Sequence, residues 1–190
     1  MRSQKTIQMA EIALMSAVLC VISPFTIPVP ASPVPLSLAL FAVYLAAVLL
    51  GAKKGALSVL IYLLLGMVGL PVFSGFSGGI GVLLGPTGGY LIGYVVCAVI
   101  VGIMTHTGAD GKSLRKGQFF RCVAAMTLGT IACYFFGTVW FLLIMKGTYA
   151  VAQALLVCVV PYLLFDLIKI LAAAAVVLPI KKILRIYADF

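Results

Sequence analysis

Asp166 and Lys169 are separated by two residues inside an apolar segment near the end of the chain, residues 151–179. They are the only charged residues between Lys146 and Lys181. A charged side chain at the depth of a lipid bilayer costs about 2.5–3.5 kcal/mol on insertion scales, so it requires a partner or a function. On a helix, residues at i and i+3 lie on one face, so both side chains must point into the same interior or cavity. The pair therefore predicts either a self-neutralising ion pair that packs helices together or a binding site for a polar, anionic small molecule.

The composition around this pair is that of an integral membrane protein. Of the 190 residues, 64% are hydrophobic and only 9% are charged, and the mean hydropathy is +1.27. No charged residue occurs in 12–52, 55–105 or 122–145, and each segment exceeds the roughly 20 residues that cross a hydrocarbon core. We therefore predict an all-α integral membrane protein with one transmembrane domain over residues 1–190. Its six helices are expected at about 9–23, 36–50, 55–70, 87–105, 119–145 and 152–179.

The 13 basic residues give a net charge of +9, and their distribution predicts the orientation of the chain. They do not form one patch with interleaved aromatic residues, so they do not indicate a nucleic-acid partner. Alternate connections between the predicted helices carry nearly all of them, namely Arg2, Lys5, Lys53, Lys54, Lys112, Arg115, Lys116, Arg121, Lys181, Lys182 and Arg185. The intervening connections hold only Lys146. By the positive-inside rule, both termini are predicted to lie in the cytoplasm of a chain that crosses the plasma membrane several times.

The connections predicted to face outside are rich in proline and glycine. Five prolines in 24–35 prevent a continuous helix, so this loop should be extended and stiff. Segment 69–90 contains eight glycines and no charge. It is either a purely connecting loop or a cap that folds back on to the helices, and its aromatic and aliphatic residues favour the cap because a solvated linker would be polar. Two sets of small residues at four-residue spacing predict close helix contacts, namely Gly85, Gly89 and Gly93, and Ala13 and Ala17.

Several kinds of active site are not indicated. Segment 106–113 ends like a phosphate-binding loop, but it begins with histidine and no strand precedes it, so we predict no ATPase in this chain. One histidine and four acidic residues are scattered along the chain, which predicts no metal site, no cofactor and no enzymatic activity. The five cysteines are expected to be small buried hydrophobic residues. Trp140, the only tryptophan, is predicted either to anchor the chain at the membrane interface or to form a wall of a ligand site.

Longer motifs extend these observations. The longest is GLPVFSGFSGGIG at 69–81, followed by LGPTGGY at 84–90. The others are IPVP at 27–30, LLGAKKG at 49–55 and DLIK at 166–169, so together they sample nearly the whole chain. They resemble the signature of the BioY family, the biotin-specific substrate-capture subunits of energy-coupling factor (ECF) transporters. The resemblance implies a six-helix S-component fold that binds biotin near the external face under a loop lid.

The resemblance also implies roles for individual residues. Those implied to bind biotin are Asp166, Lys169, Ser77, Gly78, Gly79, Tyr90 and Trp140. Ala13 and Ala17 match the A-x-x-x-A motif with which such subunits dock on an EcfT-like transmembrane subunit, and a pair of ABC-type ATPase subunits is implied as the energy source. Some members of the family have an arginine directly after the tyrosine of G-P-x-G-G-Y, where it meets the ligand carboxylate. This chain has Leu91 there.

The chemistry of biotin suits the charged pair. The ureido ring of biotin carries two N–H donors and a carbonyl acceptor, and its valerate tail ends in a carboxylate. Asp166 can accept from the ureido N–H groups and Lys169 can donate to the carbonyl or carboxylate, each charge-assisted bond contributing about 1.5–3 kcal/mol. The alternatives are an S component for another vitamin, a chain that mediates uptake without partners, an ion-coupled carrier that uses Asp166 as a proton or cation site, and a purely structural helix-packing protein.

Overall fold

The computed structural model describes residues 2–28, 34–106, 115–146 and 149–188. Its helices are α1 (Arg2–Ile22), α2 (Ala39–Met67), α3 (Ile80–Leu84), α4 (Gly88–His106), α5 (Arg115–Ile144), α6 (Val151–Cys158) and α7 (Val160–Ala188). Two-residue strands β1 (Thr26–Ile27) and β2 (Leu36–Ser37) pair antiparallel. Within the described ranges, five helical segments are long and apolar enough to cross a membrane, and α6 and α7 together form the last of them. The rest of the phosphate-loop-like segment after His106 lies outside the described residues.

The second and third predicted helices are the two arms of α2. Gly51 interrupts α2 with φ 82° and ψ −179°, a conformation that residues with a side chain rarely adopt. A Cβ atom placed on Gly55 would lie 2.9 Å from the Cα atom of Ala47. Residues eight apart in a straight helix are separated by about 12 Å, so the chain doubles back on itself at this turn. Counting the arms separately gives six apolar helical segments in the described part of the chain, which is the predicted number.

The sixth predicted helix, 152–179, differs from the structure because it is broken near its start. α6 ends at Cys158, Val159 has φ −123° and ψ −55°, and α7 begins at Val160. Pro161 explains the break, since proline has no N–H to donate to the preceding turn and its ring crowds the carbonyl there. A second proline, Pro179, lies inside α7 without ending it, and α7 continues to Ala188. The first turns of α7, directly after this break, line the site described below.

Helix α4 packs closely against α5 because its glycines let the two backbones approach. A Cβ atom on Gly89 would lie 2.6 Å from the carbonyl oxygen of Phe136, and one on Gly93 would lie 3.0 Å from the Cα atom of Cys133. The close contact predicted for these two glycines is therefore confirmed. The cysteines contribute to the core as predicted, since Cys97, Cys122, Cys133 and Cys158 are buried and Cys20 is half-buried, all with free thiols.

Helix α1 lies against the second arm of α2 through one face. Ser16 is buried there, and its hydroxyl donates a hydrogen bond to the carbonyl oxygen of Ser58 over 3.1 Å. Ala13 and Ala17 are exposed on another face of α1 and do not pack against the bundle. Ala13 and Ala17 are therefore available for a contact outside the chain, whereas Gly89 and Gly93 of α4 are used inside it.

Two connections meet at one end of the bundle, the one between α1 and α2 and the one between α2 and α4. The Gly75 N–H donates to the carbonyl oxygen of Pro24 over 3.0 Å, and the rings of Phe25 and Phe76 lie edge to face with centroids 5.8 Å apart. Residues 29–33, in the middle of the proline-rich connection, lie outside the described part of the chain. The two connections together form what we call the cap.

Candidate ligand-binding site

A cavity of about 190 Å³, taken as the space open to the centre of a water-sized sphere, lies between α2, α4, α5 and α7, and residues of the cap form part of its wall. On the same measure one water needs about 10–15 Å³, so the space suits a small organic molecule. Apolar side chains such as Leu40, Phe73 and Leu91 form part of its wall. Polar side chains converge on it from both the helices and the cap, among them Ser37, Ser77, Tyr90, Tyr134, Asp166 and Lys169.

Asp166 and Lys169 form a buried ion pair in the wall of this cavity. They are only 6% and 8% exposed, and the Lys169 Nζ atom lies 2.7 Å from Asp166 Oδ1. Lys169 also donates to the carbonyl oxygen of Ser37 over 2.7 Å. Tyr134 donates its hydroxyl hydrogen to Asp166 Oδ2. Because the pair neutralises itself, each charge is compensated before any ligand enters, and removal of either partner would leave a buried charge unpaired.

The ion pair keeps hydrogen-bonding capacity for a ligand. A carboxylate offers about four acceptor positions and an ammonium offers three N–H donors. Within the cluster, Asp166 accepts from Lys169 and Tyr134, and Lys169 donates to Asp166 and Ser37. Acceptor positions on Asp166 and one donor on Lys169 are therefore left on a cavity wall. A ligand with adjacent N–H and C=O groups would satisfy both.

The glycine-rich connection is docked on the helices as a cap. Phe73 is 1% exposed, its ring packs edge to face on Tyr62 with centroids 5.5 Å apart, and it fills the space beside Gly66. The Gly79 N–H donates to the Gly66 carbonyl oxygen over 2.7 Å. The prediction of a cap is therefore confirmed, although three of its apolar residues, Phe76, Ile80 and Leu84, are more than half exposed.

The structure brings together four of the seven residues implied to bind ligand. Asp166, Lys169, Ser77 and Tyr90 line the cavity, whereas Gly78, Gly79 and Trp140 are not among the described residues that do. The Ser77 hydroxyl donates to the carbonyl oxygen of Ser74 over 2.8 Å, which holds the cap segment at the rim. The Tyr90 hydroxyl donates to the carbonyl oxygen of Cys158 over 3.3 Å, at the break before α7.

Trp140 lies behind the site rather than on its wall. Its indole N–H donates to the carbonyl oxygen of Gly85 over 3.0 Å. Its Cβ atom occupies the space that a side chain on Gly89 would need, at 2.2 Å from a Cβ built there. Trp140 therefore braces the end of the cap against the first turn of α4. The two roles that the sequence suggests for Trp140, a membrane anchor and a ligand wall, stay predictions.

Sequence reasoning missed two tyrosines of the site. Tyr162 lines the cavity and donates its hydroxyl hydrogen to the carbonyl oxygen of Val34, which ties α7 to the cap. It precedes Asp166 by four residues, so helical spacing alone was a usable signal for it. Tyr134 lies on a different helix from Asp166, and nothing in the sequence around Tyr134 indicates that its hydroxyl group contacts Asp166.

Comparison with known proteins identifies the family. The model of the BioY family matches residues 1–186. The chain belongs to the BioY family. It is 38% identical over 157 residues to the biotin transporter BioY of Thermotoga maritima, covering 83% of this chain and 86% of that protein. It is also 38% identical over 152 residues to the probable biotin transporter BioY of Pyrococcus horikoshii, covering 80% and 82%.

The fold agrees with a solved structure as well. This BioY-family chain matches the crystal structure of the S-component for biotin from an ECF-type ABC transporter with a TM-score of 0.83 and 27% sequence identity. The match covers 96% of this chain and 94% of the other. The S-component fold expected from the sequence is therefore confirmed.

Proposed function

We propose that this BioY-family chain is the biotin-binding membrane subunit of an ECF-type vitamin uptake transporter, and that it captures biotin with high affinity at the external face. Partner subunits, not this chain, hydrolyse ATP to drive import. The observation that carries the proposal is the buried Asp166–Lys169 pair on the wall of a capped cavity. The names of the relatives, which are biotin transporters, support the choice of ligand.

The cluster suits the ureido ring of biotin. The unused acceptor positions of Asp166 match the ring N–H groups, and the unused N–H of Lys169 matches the ring carbonyl. Such charge-assisted bonds contribute about 1.5–3 kcal/mol each when the site excludes water. Tyr134 and Ser37 hold the two charged groups in place, so little ordering is left to occur on binding. An ion-coupled carrier is less well supported, because the charge of Asp166 is already compensated by Lys169 at 2.7 Å.

The orientation of the chain follows from its charges. Basic residues occur at the Lys53–Lys54 turn and in both terminal regions. They favour a cytoplasmic position for the end of the bundle that carries them, opposite the cap. The cap then faces the outside of the plasma membrane, and biotin enters from that side. Phe73 of the cap is buried against the helices, which would hinder opening of the cap and slow release of the ligand, as suits a capture subunit.

The exposed face of α1 is the proposed docking surface for an EcfT-like transmembrane subunit, which a pair of ABC-type ATPase subunits would drive. Ala13 and Ala17 are exposed there, and small residues at four-residue spacing let a partner helix approach closely. No other contact of the described chain requires them to be small.

Replacing both alanines by leucine should prevent this docking. In the Ala13→Leu/Ala17→Leu double variant, two bulky side chains hold the partner helix away, so recovery of the transmembrane subunit in a detergent pull-down should fall at least tenfold. Biotin binding by the isolated chain should stay within twofold of wild type. Ala124→Leu, on an exposed part of α5, is the matched control and should retain the partner. Undiminished recovery with the double variant would rule out this face of α1.

The direct test of function is equilibrium binding of labelled biotin to the whole chain purified in detergent. We expect saturable binding at one site per chain that excess unlabelled biotin displaces and that excess thiamine or riboflavin does not. Displacement by another vitamin would reassign the ligand. A monodisperse, folded preparation without saturable binding would overturn the biotin proposal.

A further inference from the structure

The cavity has no net charge to offer to an anion. Lys169 is the one cation among the described residues that line it, and Asp166 is the one anion. Residues 29–33 of the cap, which lie outside the described ranges, contain no basic residue. Lys146, the other basic residue between Arg121 and Lys181, is exposed and does not line the cavity.

The charge of Lys169 is already compensated by Asp166, and two of its three N–H donors are in use. Its Nζ atom lies 2.7 Å from Asp166 Oδ1 and 2.7 Å from the Ser37 carbonyl oxygen. The third N–H of Lys169 could still donate to a ligand carboxylate, but two carboxylates would then share one buried ammonium, which leaves a net charge of −1 uncompensated. Such a buried unpaired charge is strongly unfavourable.

Exposure varies around the cavity wall, and the cap contributes both buried and half-buried residues to it. Ser74, Ser77 and Val82 of the cap are half-buried, whereas the ion pair is almost fully buried, as are the cap residues Val34 and Phe73. The neutral, hydrogen-bonding end of a ligand therefore fits at the deep end. A charged end retains its hydration at the half-buried part of the cap, beside Ser74, Ser77 and Val82.

We propose that this site recognises the ureido ring of its ligand and leaves the carboxylate tail hydrated at the cap. Its ligands therefore include biotin derivatives whose carboxyl group is blocked as an ester or amide. The inference rests on the proposed function, because it assumes the biotin ring in the cavity. It adds a statement about specificity, namely that the ureido ring determines the affinity and the charge of the carboxylate tail does not.

The test is competition against labelled biotin on the purified whole chain, with biotin methyl ester and biotinamide as probes. Both uncharged derivatives should compete with inhibition constants within threefold of that of biotin. Lipoic acid, which carries a five-carbon carboxylate tail on a ring without urea, should compete at least a hundredfold less well. An ester and an amide that both bind tenfold or more weakly than biotin would overturn the inference while leaving the biotin assignment intact. Absence of biotin binding would instead contradict the proposed function itself.

A cation added at the cap tests where the carboxylate lies. Val82 lines the cavity on the cap side, and Val82→Lys should favour free biotin over its methyl ester at least fivefold relative to wild type. Val82→Met introduces a side chain that is similar in length to lysine but uncharged, so it should leave the ratio of the two inhibition constants unchanged. If the lysine and methionine variants give the same ratio, the carboxylate does not lie at the cap and the inference fails. The wild-type ratio decides the specificity even if a variant does not fold.

Discussion

Asp166→Asn should raise the dissociation constant for biotin at least a hundredfold, which corresponds to about 2.8 kcal/mol. The amide keeps the shape of the side chain, but it loses the charge and presents an NH₂ group where acceptors are needed. Two charge-assisted bonds to the ureido N–H groups, each contributing about 1.5–3 kcal/mol, account for a loss of this size. The measurement is saturation binding of labelled biotin to the purified variant.

The same substitution leaves Lys169 without its counter-ion, so a loss of folding must be separated from a loss of affinity. The number of sites at saturation counts folded chains, and the concentration at half-saturation reports affinity. Glu11→Gln is the matched control, because Glu11 forms the described chain's other ion pair, with Lys54 at 2.8 Å, and is 44% exposed. It should bind biotin as wild type does. An Asp166→Asn dissociation constant within threefold of wild type would show that the ion pair only packs helices.

Gly102→Ala should destabilise the fold, although alanine is the better helix former by about 1 kcal/mol. A Cβ atom on Gly102 would lie 2.3 Å from the backbone nitrogen of Ala52, next to the turn at Gly51. Backbone atoms in a tight turn cannot move aside as a flexible side chain can. Overpacking typically costs about 1–3 kcal/mol, so the apparent melting temperature should fall by about 5 °C or more.

Gly81→Ala is the control for this prediction. Gly81 lies in α3, and a Cβ atom placed there has no other atom within 4 Å. The melting temperature of this variant in detergent should equal or slightly exceed that of wild type, because alanine reduces the conformational entropy of the unfolded chain without a clash in the folded one. Equal melting temperatures for the two variants would contradict the prediction, because they would show that the backbone of the α2 turn can shift to accommodate a methyl group on α4.

The helix breaks show where sequence-based prediction reached its limit. The Lys53–Lys54 pair predicts the separation of α2 into two arms, because charged side chains are costly inside the bilayer, and the structure places the turn at Gly51. The break at Val159 was not, although Pro161 was visible. A proline near a helix start is compatible with both a continuous entry and a new helix, and the contacts of α7 with the cap decide between them.

The sequence by itself determined the membrane environment, the number of spanning segments and the presence of a polar site on one face of the last helix. These properties depend on local composition and on the fixed geometry of a helix turn. The tertiary structure decided which groups meet that face. It brought Tyr134 and the Ser37 carbonyl to the ion pair, kept Trp140 behind the wall, and left the cavity without a second cation among the described residues. Such contacts join residues far apart in the chain, and their formation depends on how closely glycine-lined helices pack rather than on any local pattern.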